Sequence, residues 1–130
     1  MEESLAQFSG KKYLNLETYR KNGRGVRTPL WFVEEGGALY AETLSETGKV
    51  KRLRREPRVR LVPSDRRGEP EGEWVEGEAY LVGGEEAWRA RELLGEKYGI
   101  QKKIVGVMYR FMKGEPVMLA IQARGVSPNA

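Results

Sequence analysis

The clearest structural signal in the chain is the basic segment Gly48-Lys49-Val50-Lys51-Arg52-Leu53-Arg54-Arg55-Glu56-Pro57-Arg58-Val59. Val50 and Leu53 lie three residues apart, which predicts a short helix over residues 48–55 with one apolar face. Pro57 ends this helix, because the residue before a proline avoids helical backbone angles. Basic and apolar residues then alternate, and this pattern predicts a strand over residues 58–63.

Upstream of this segment, the sequence predicts a short leading helix over residues 2–8 and then three strands. Residues 13–19 alternate in side-chain character, and an Asn-Gly pair in the following turn favours a hairpin, because tight hairpin turns need positive φ. The returning strand, residues 26–33, contains Pro29, which lacks a backbone donor. A proline there favours a sheet edge, a bulge or a place where another group approaches the backbone. With a third strand at residues 38–43, these strands would form a meander.

Downstream, the pattern changes from strands to helices and back to a strand. A strand over residues 73–82 precedes an amphipathic helix over residues 85–98, which a glycine ends as a C-cap. A second helix follows, closed by Gly114, and a last strand covers residues 117–123. The apolar residues of that second helix are Ile104, Val107, Met108 and Phe111. This order is typical of an α+β fold, most simply a small antiparallel β-barrel with peripheral helices, and 130 residues suit one domain.

The composition excludes several kinds of catalytic site. The chain contains neither histidine nor cysteine, which excludes disulfides, thiolate or imidazole metal ligands, and catalytic triads that need either residue. An enzyme of this composition would work with a bound cofactor, with carboxylates or by positioning alone. The sequence has no apolar run of membrane-spanning length and opens with acidic residues rather than a basic secretory signal. We therefore expect a cytoplasmic protein that does not span a membrane.

Positive charge is concentrated in two segments. Residues 49–60 hold seven Lys or Arg against Glu56 alone, and residues 11–27 hold six against Glu17 alone. The net charge of +4 therefore combines +11 in these segments with −7 elsewhere. Such a surface attracts anions. The unpaired N–H groups at the start of the predicted helix, beside Lys49, favour a phosphate or carboxylate, although a solvated charged helix fits the same pattern.

An aromatic pair follows the proline in the segment Thr28-Pro29-Leu30-Trp31-Phe32. This pair could form one wall of a pocket for a flat ring, whereas taken alone it fits a core strand better. No carboxylate pair has a spacing that implies acid–base catalysis, and no glycine-rich phosphate loop is present. The residues by themselves therefore assign no catalytic group.

Together, these segments resemble the split β-barrel family of flavin- and deazaflavin-binding proteins related to pyridoxamine 5′-phosphate oxidase. Within that family, they are most similar to the subgroup that uses the deazaflavin coenzyme F420. The matching segments are residues 13–20, 28–32, 43, 48–59 and 72–79. The resemblance implies an FMN-binding split-barrel fold over the whole chain, and a homodimer with cofactor sites in clefts between its subunits.

The resemblance also implies which residues bind the cofactor. The strand 28–31 would run beside the cofactor ring, and the segment 43–52 would take the phosphate, with Lys49 and the Lys51/Arg52 pair as cationic contacts. The full set is Thr28, Pro29, Leu30, Trp31, Thr43, Gly48, Lys49, Lys51 and Arg52. The charge of the basic segment exceeds what one phosphate needs. This surplus favours F420, which carries a phosphodiester and a carboxylate tail, over riboflavin phosphate (FMN).

The function that the resemblance implies is an F420-dependent oxidoreductase that transfers a hydride between the deazaflavin and a small conjugated organic substrate. In such an enzyme the cofactor carries the chemistry, so neither His nor Cys is required. The alternatives are an FMN-binding enzyme, a cofactor carrier without turnover and a nucleic-acid-binding barrel. No aromatic residue lies within residues 49–60, which disfavours the last, because a stacking platform requires one. Residues 117–130 match no motif of the family, and they leave the substrate unassigned.

Overall fold

The strands that the alternating segments predict form one seven-stranded antiparallel sheet in the computed structural model, which describes residues 5–126. Its strand order is β2-β1-β5-β6-β7-β4-β3, so β2 and β3 are the two edges. The elements in chain order are β1 (Tyr13–Tyr19), β2 (Gly25–Trp31), β3 (Val33–Glu35), β4 (Ala38–Leu44), α1 (Gly48–Arg55), β5 (Arg58–Ser64), β6 (Val75–Val82), α2 (Gly84–Tyr98), α3 (Ile100–Tyr109) and β7 (Pro116–Val126). The helix predicted over residues 2–8 lies partly outside the described residues; Leu5 and Ala6 are helical.

Apolar side chains on one face of the sheet meet in a single core. Leu30 of β2, at one edge, belongs to the same buried cluster as Leu61 of β5 and Leu39 of β4 near the other edge. The sheet therefore wraps around a shared core while its edges remain unpaired with each other. A second core lies under α2, whose predicted apolar face is buried. Its members include Ala87, Ala90, Leu94 and Tyr98.

The predicted meander is wrong, because the predicted strand 26–33 is interrupted at Phe32. The part before it, β2, pairs with β1, and the part after it, β3, pairs with β4 at the opposite edge of the sheet. The buried Phe32 leaves the ladder because its N–H donates a hydrogen bond to Tyr98 Oη (3.0 Å) instead of to a neighbouring strand. Pro29 lies on β2, an edge strand, and a sheet edge is one of the three environments that the sequence predicted for it.

The two outer helices differ in how well they match the sequence pattern. Helix α1 has the predicted bounds, with Val50 and Leu53 buried and Glu56 as the C-cap before Pro57. Helix α3 ends at Tyr109 instead of continuing towards Gly114, and it buries none of its residues. Within the described residues, no helix has the length and apolar character needed to cross a bilayer.

Candidate cofactor-binding site

Four of the nine residues implied by the resemblance meet where β4 passes into α1. Lys49, in the first turn of α1, donates a hydrogen bond from Nζ to Oγ1 of Thr43 near the end of β4 (3.0 Å). One turn later, Arg52 donates from Nε to Oγ1 of Thr18 on β1 (2.7 Å). The Arg52 guanidinium folds back over Gly48, so that Nη1 would lie 2.7 Å from a Cβ atom there. Only glycine leaves Arg52 in this position.

Within the part of the chain that the structure describes, the two cations of this cluster have no carboxylate partner. Among residues 5–126, no Asp or Glu oxygen lies within ion-pair distance of Lys49 or Arg52. Burial lowers the pKa of Lys49, and the nearby charge of Arg52 lowers it further. Burial and the charge of Arg20 lower the pKa of Arg52. An anion bound here would relieve this repulsion, which fits the donor set to a phosphate.

The start of α1 adds to the same positive field. Thr47 occupies the N-cap position, but its hydroxyl donates to the carbonyl of Leu44 (2.8 Å) and caps no N–H of the helix. The first turn contains no acidic residue. The free N–H groups of this turn therefore lie beside Lys49 and favour an anion.

The segment that was expected beside the cofactor ring is divided between the two faces of β2. Thr28 pairs with Leu16, which lies in the first core, whereas Pro29 and Trp31 alternate to the opposite face. Leu30 is buried in the first core. Trp31 already stacks on Tyr98, with ring centroids 4.5 Å apart and planes 7° apart. The four residues therefore do not form one wall within a single chain.

Among those four residues, Thr28 lies nearest along β2 to the position that pairs with Thr18 of the cation cluster. It lies two residues from Val26, which pairs with Thr18, the partner of Arg52. Side chains two residues apart share a face of a strand, so Thr28 and Thr18 lie on the same face of the sheet.

Lys51 is exposed and makes no side-chain hydrogen bond or ion pair among the described residues. The resemblance implied neither Thr18 nor Arg20 as a cofactor contact, although a polar residue continuing the Leu14 and Leu16 face was a visible signal for Thr18.

Two other basic residues of the charged segments, Arg27 and Arg60, share one carboxylate partner. The buried carboxylate of Glu17 accepts hydrogen bonds from Nε of Arg27 (2.8 Å), Nε of Arg60 (3.0 Å) and the hydroxyl of Tyr19 (2.7 Å). Burial alone would raise the pKa of Glu17, but these hydrogen bonds outweigh it and lower the pKa to about 2. Both guanidinium groups also lie over the ring of Trp74, at 4.4 Å and 5.1 Å from its centroid.

Two clefts of the described chain lie away from the cation cluster. One of about 410 Å³ lies between the turn after Leu5 and helix α2, with Phe8, Phe32 and Lys97 among its lining residues. Another, of about 550 Å³, is lined by Glu42, Tyr109 and neighbouring residues. Neither of these two clefts includes Lys49 or Arg52 among its lining residues.

Comparisons with known proteins identify the fold. Neither a protein-family model nor a curated protein matches this sequence. Among solved structures, a pyridoxamine 5′-phosphate oxidase-like protein from Listeria innocua is similar over 99% of this chain and 98% of its own, with 18% identity and a TM-score of 0.67.

Two further structures carry different functions on the same fold. The heme storage protein HutZ from Vibrio cholerae is similar over 95% of this chain and 89% of its own, with 17% identity and a TM-score of 0.71. An F420 reductase is similar over 95% and 94%, with 15% identity and a TM-score of 0.60. At these identities the similarity concerns the fold, and function has to be argued from the site. The chain thus has the α+β split β-barrel fold of the pyridoxamine 5′-phosphate oxidase class, as the sequence resemblance implied.

Proposed function

We propose that this protein is an oxidoreductase that binds F420 and transfers a hydride between the deazaflavin and a small conjugated organic substrate. The observation that supports this most is the pair Lys49 and Arg52, two cations beside the start of α1 with no carboxylate partner among the described residues. Unpaired, partly buried cations reduce the stability of the free protein, and a bound anion offsets that effect.

In this proposal the residues of the chain bind and orient the cofactor. Lys49, Arg52 and the free N–H groups of α1 hold the phosphodiester, while Thr43 and Thr18 fix the two cationic side chains by accepting their hydrogen bonds. Thr28 lies on the same face of the sheet as Thr18 and would flank the ring. When bound, reduced F420 supplies the hydride, so the protein needs neither His nor Cys for the transfer.

The proposal includes a homodimer in the cytoplasm. Residues 28–31 do not form one wall within a single chain, and Trp31 is stacked on Tyr98. A second subunit would supply the missing wall and shield the ring from water. Sedimentation velocity of the purified protein with and without F420 tests this part: a monomer in both conditions contradicts it.

The alternative functions, FMN binding and nucleic-acid binding, would use the cationic residues differently. FMN would use the same phosphate contacts, but Arg20 beside Arg52 and the exposed Lys51 on α1 add charge that a longer polyanion uses better. A surface that binds single-stranded nucleic acid by base stacking would need free aromatic faces among its cations. Arg27 and Arg60 cover Trp74 and both pair with Glu17, which argues against such a surface there.

Calorimetric titration of the purified protein with F420 and with FMN tests the choice of cofactor. We expect F420 to bind at least about tenfold more tightly, because a charge-assisted hydrogen bond to its extra anionic groups contributes roughly 1.5–3 kcal/mol. Tighter binding of FMN would contradict the F420 assignment.

Turnover distinguishes the enzyme from a carrier. Reduced F420 bound to the protein should be oxidised by at least one member of a panel of quinones, nitro compounds and conjugated tetrapyrroles, faster than free reduced F420 is. Cofactor that binds tightly but is never oxidised across the panel would support a carrier, the kind of role that HutZ performs for heme.

A further inference from the structure

The second helix of the α2–α3 pair leaves a large apolar surface uncovered. Helix α3 buries none of its residues, and six large apolar side chains in α3 and the following turn are more than half exposed. Phe111 is exposed to 87% and Ile100 to 73%. The full set is Ile100, Ile104, Val107, Met108, Phe111 and Met112. We call this surface the α3 face.

The α3 face is a continuous stripe. At 100° per residue, the four of its residues that lie within the helix fall in an arc of about 100°, which is the width of an apolar face that normally packs against a core. Phe111 and Met112 extend the stripe past Tyr109, where the helix ends. An apolar stripe of this width left open on a folded chain indicates a contact with another surface.

Cations border the stripe, and acids are absent from it. The segment 100–113 contains four Lys or Arg and no Asp or Glu. Lys102 is held by Glu42 (3.7 Å), but Lys103, Arg110 and Lys113 have no carboxylate within ion-pair distance among residues 5–126. Their charge is available to an anionic partner.

We propose that the α3 face docks on the surface of an anionic lipid bilayer. Apolar side chains would enter the boundary between headgroups and acyl chains, while the bordering cations stay among the phosphates of the headgroups. Charge argues against a second copy of this chain as the occupant. Two copies joined through this face would bring together Lys103, Arg110 and Lys113 of both, six cations, against one bordering acid, Glu115, from each copy.

Flotation of the full-length protein with vesicles tests the proposal. We expect binding to vesicles of phosphatidylcholine with phosphatidylglycerol, a decrease of that binding as salt is added, and much weaker binding to phosphatidylcholine alone. Absence of binding to the anionic vesicles, or equal binding to both kinds, would overturn the proposal.

Paired variants assign the binding to this face. Ile104→Ser with Phe111→Ser, and separately Lys103→Glu with Arg110→Glu, should each lower partitioning into anionic vesicles at least about tenfold. The control for the apolar pair is Trp88→Ser, because Trp88 is 61% exposed on α2 but has Glu85 and Glu92 at helical-neighbour positions.

The control for the charge pair is Lys21→Glu with Arg24→Glu, at exposed positions in the β1–β2 turn. Both controls should bind vesicles as the unchanged protein does, and circular dichroism should show all variants folded. Vesicle binding that survives both α3 variants would overturn the proposal. A dimer that becomes a monomer in Ile104→Ser with Phe111→Ser, with no vesicle binding by the unchanged protein, would instead show that a second copy covers this face.

Discussion

The two basic segments contribute to two clusters that differ in one respect, the presence of a carboxylate. Around Glu17, the guanidinium groups of Arg27 and Arg60 are paired with a buried acid. Around the start of α1, Lys49 and Arg52 donate to threonine hydroxyls and have no carboxylate partner among residues 5–126. A charge count along the sequence treats these four cations alike, whereas the fold pairs two of them with an acid and leaves the other two without one in the described part of the chain.

Under the proposed function, this difference separates residues that stabilise the fold from residues that bind the cofactor. A paired cation contributes to stability when its acid is buried with it and fully hydrogen-bonded. An unpaired cation near another cation opposes folding, and proteins tolerate such clusters mainly where a ligand uses them. The comparison therefore predicts opposite consequences when each cluster is changed.

The largest effect should come from removing the acid of the paired cluster. Glu17→Gln leaves Arg27 and Arg60 without a counter-charge, and we expect the free energy of unfolding at neutral pH to fall by about 2–3 kcal/mol. Urea unfolding followed by circular dichroism, at one protein concentration, measures the change.

The control is an exposed pair. Glu71 lies 3.6 Å from Lys11, and its side chain is 44% exposed, so Glu71→Gln should change the free energy of unfolding by less than about 0.5 kcal/mol. Equal losses in the two variants would mean that Glu17 acts as an ordinary surface charge, and the distinction between the clusters would not hold.

The same carboxylate should make stability depend on acid pH. The pKa of Glu17 is about 2 in the folded protein and near the ordinary value of 4.5 in the unfolded chain. A lowered pKa means that the unfolded state binds more protons between these values. The contribution of Glu17 is therefore complete above about pH 4.5 and is lost as the pH falls towards about 2.

This prediction is tested by repeating the unfolding experiment along a pH series. The difference in stability between the unchanged protein and Glu17→Gln should shrink through that interval. A difference that stays constant down to the lower limit would show that the loss in the variant comes from packing and not from charge.

Sequence patterns predicted helix α1 and strand β5 well, because residues close in the chain decide both. Helix α1 has its predicted bounds because Val50 and Leu53 set the apolar face and Pro57 prevents continuation. The strand predicted over residues 58–63 extends only one residue further. These features depend on residues close in the chain, so pattern and propensity describe them well.

The sequence could not show the features that depend on contacts between residues far apart in the chain. The interruption at Phe32 depends on the hydroxyl of Tyr98, which lies 66 residues away. The pairing of Arg60 with Glu17 spans 43 residues, so nothing in either basic segment marks which cations are neutralised. The resemblance implied Lys49 and Arg52 as cofactor contacts, while the hydrogen bond from Arg52 to Thr18 depends on the packing of α1 against β1.

In the unpaired cluster, the loss should appear in binding. Lys49→Ala should weaken F420 binding at least about tenfold, because a charge-assisted hydrogen bond to phosphate contributes roughly 1.5–3 kcal/mol. Calorimetric titration measures it, with Arg54→Ala as the control, since Arg54 is exposed on the same helix. Equal affinity of Lys49→Ala and the unchanged protein would place the phosphate elsewhere.

Binding should also depend on alkaline pH. Burial and Arg52 lower the pKa of Lys49, so its ammonium loses its proton at a lower pH than an ordinary lysine does. We expect F420 affinity to fall as the pH rises, beginning at a lower pH than the ordinary lysine pKa would give, and to fall less in Lys49→Arg, because a guanidinium keeps its proton at alkaline pH. Identical pH profiles for the two proteins would exclude Lys49 as the titrating group.

The smallest expected effect is on the free energy of unfolding when Lys49 is replaced. The sign of this effect matters more than its size. Lys49→Met removes one of two neighbouring cations and keeps most of the aliphatic side chain, so the free protein should unfold with unchanged or slightly higher free energy, within about 0.5 kcal/mol. The hydroxyl of Thr43 loses its donor, and this loss limits the gain. A fall of more than about 1 kcal/mol, comparable to a lost buried hydrogen bond, would make Lys49 a structural residue like Arg60. Unchanged stability together with weakened F420 binding is expected only if this cation is retained for its ligand.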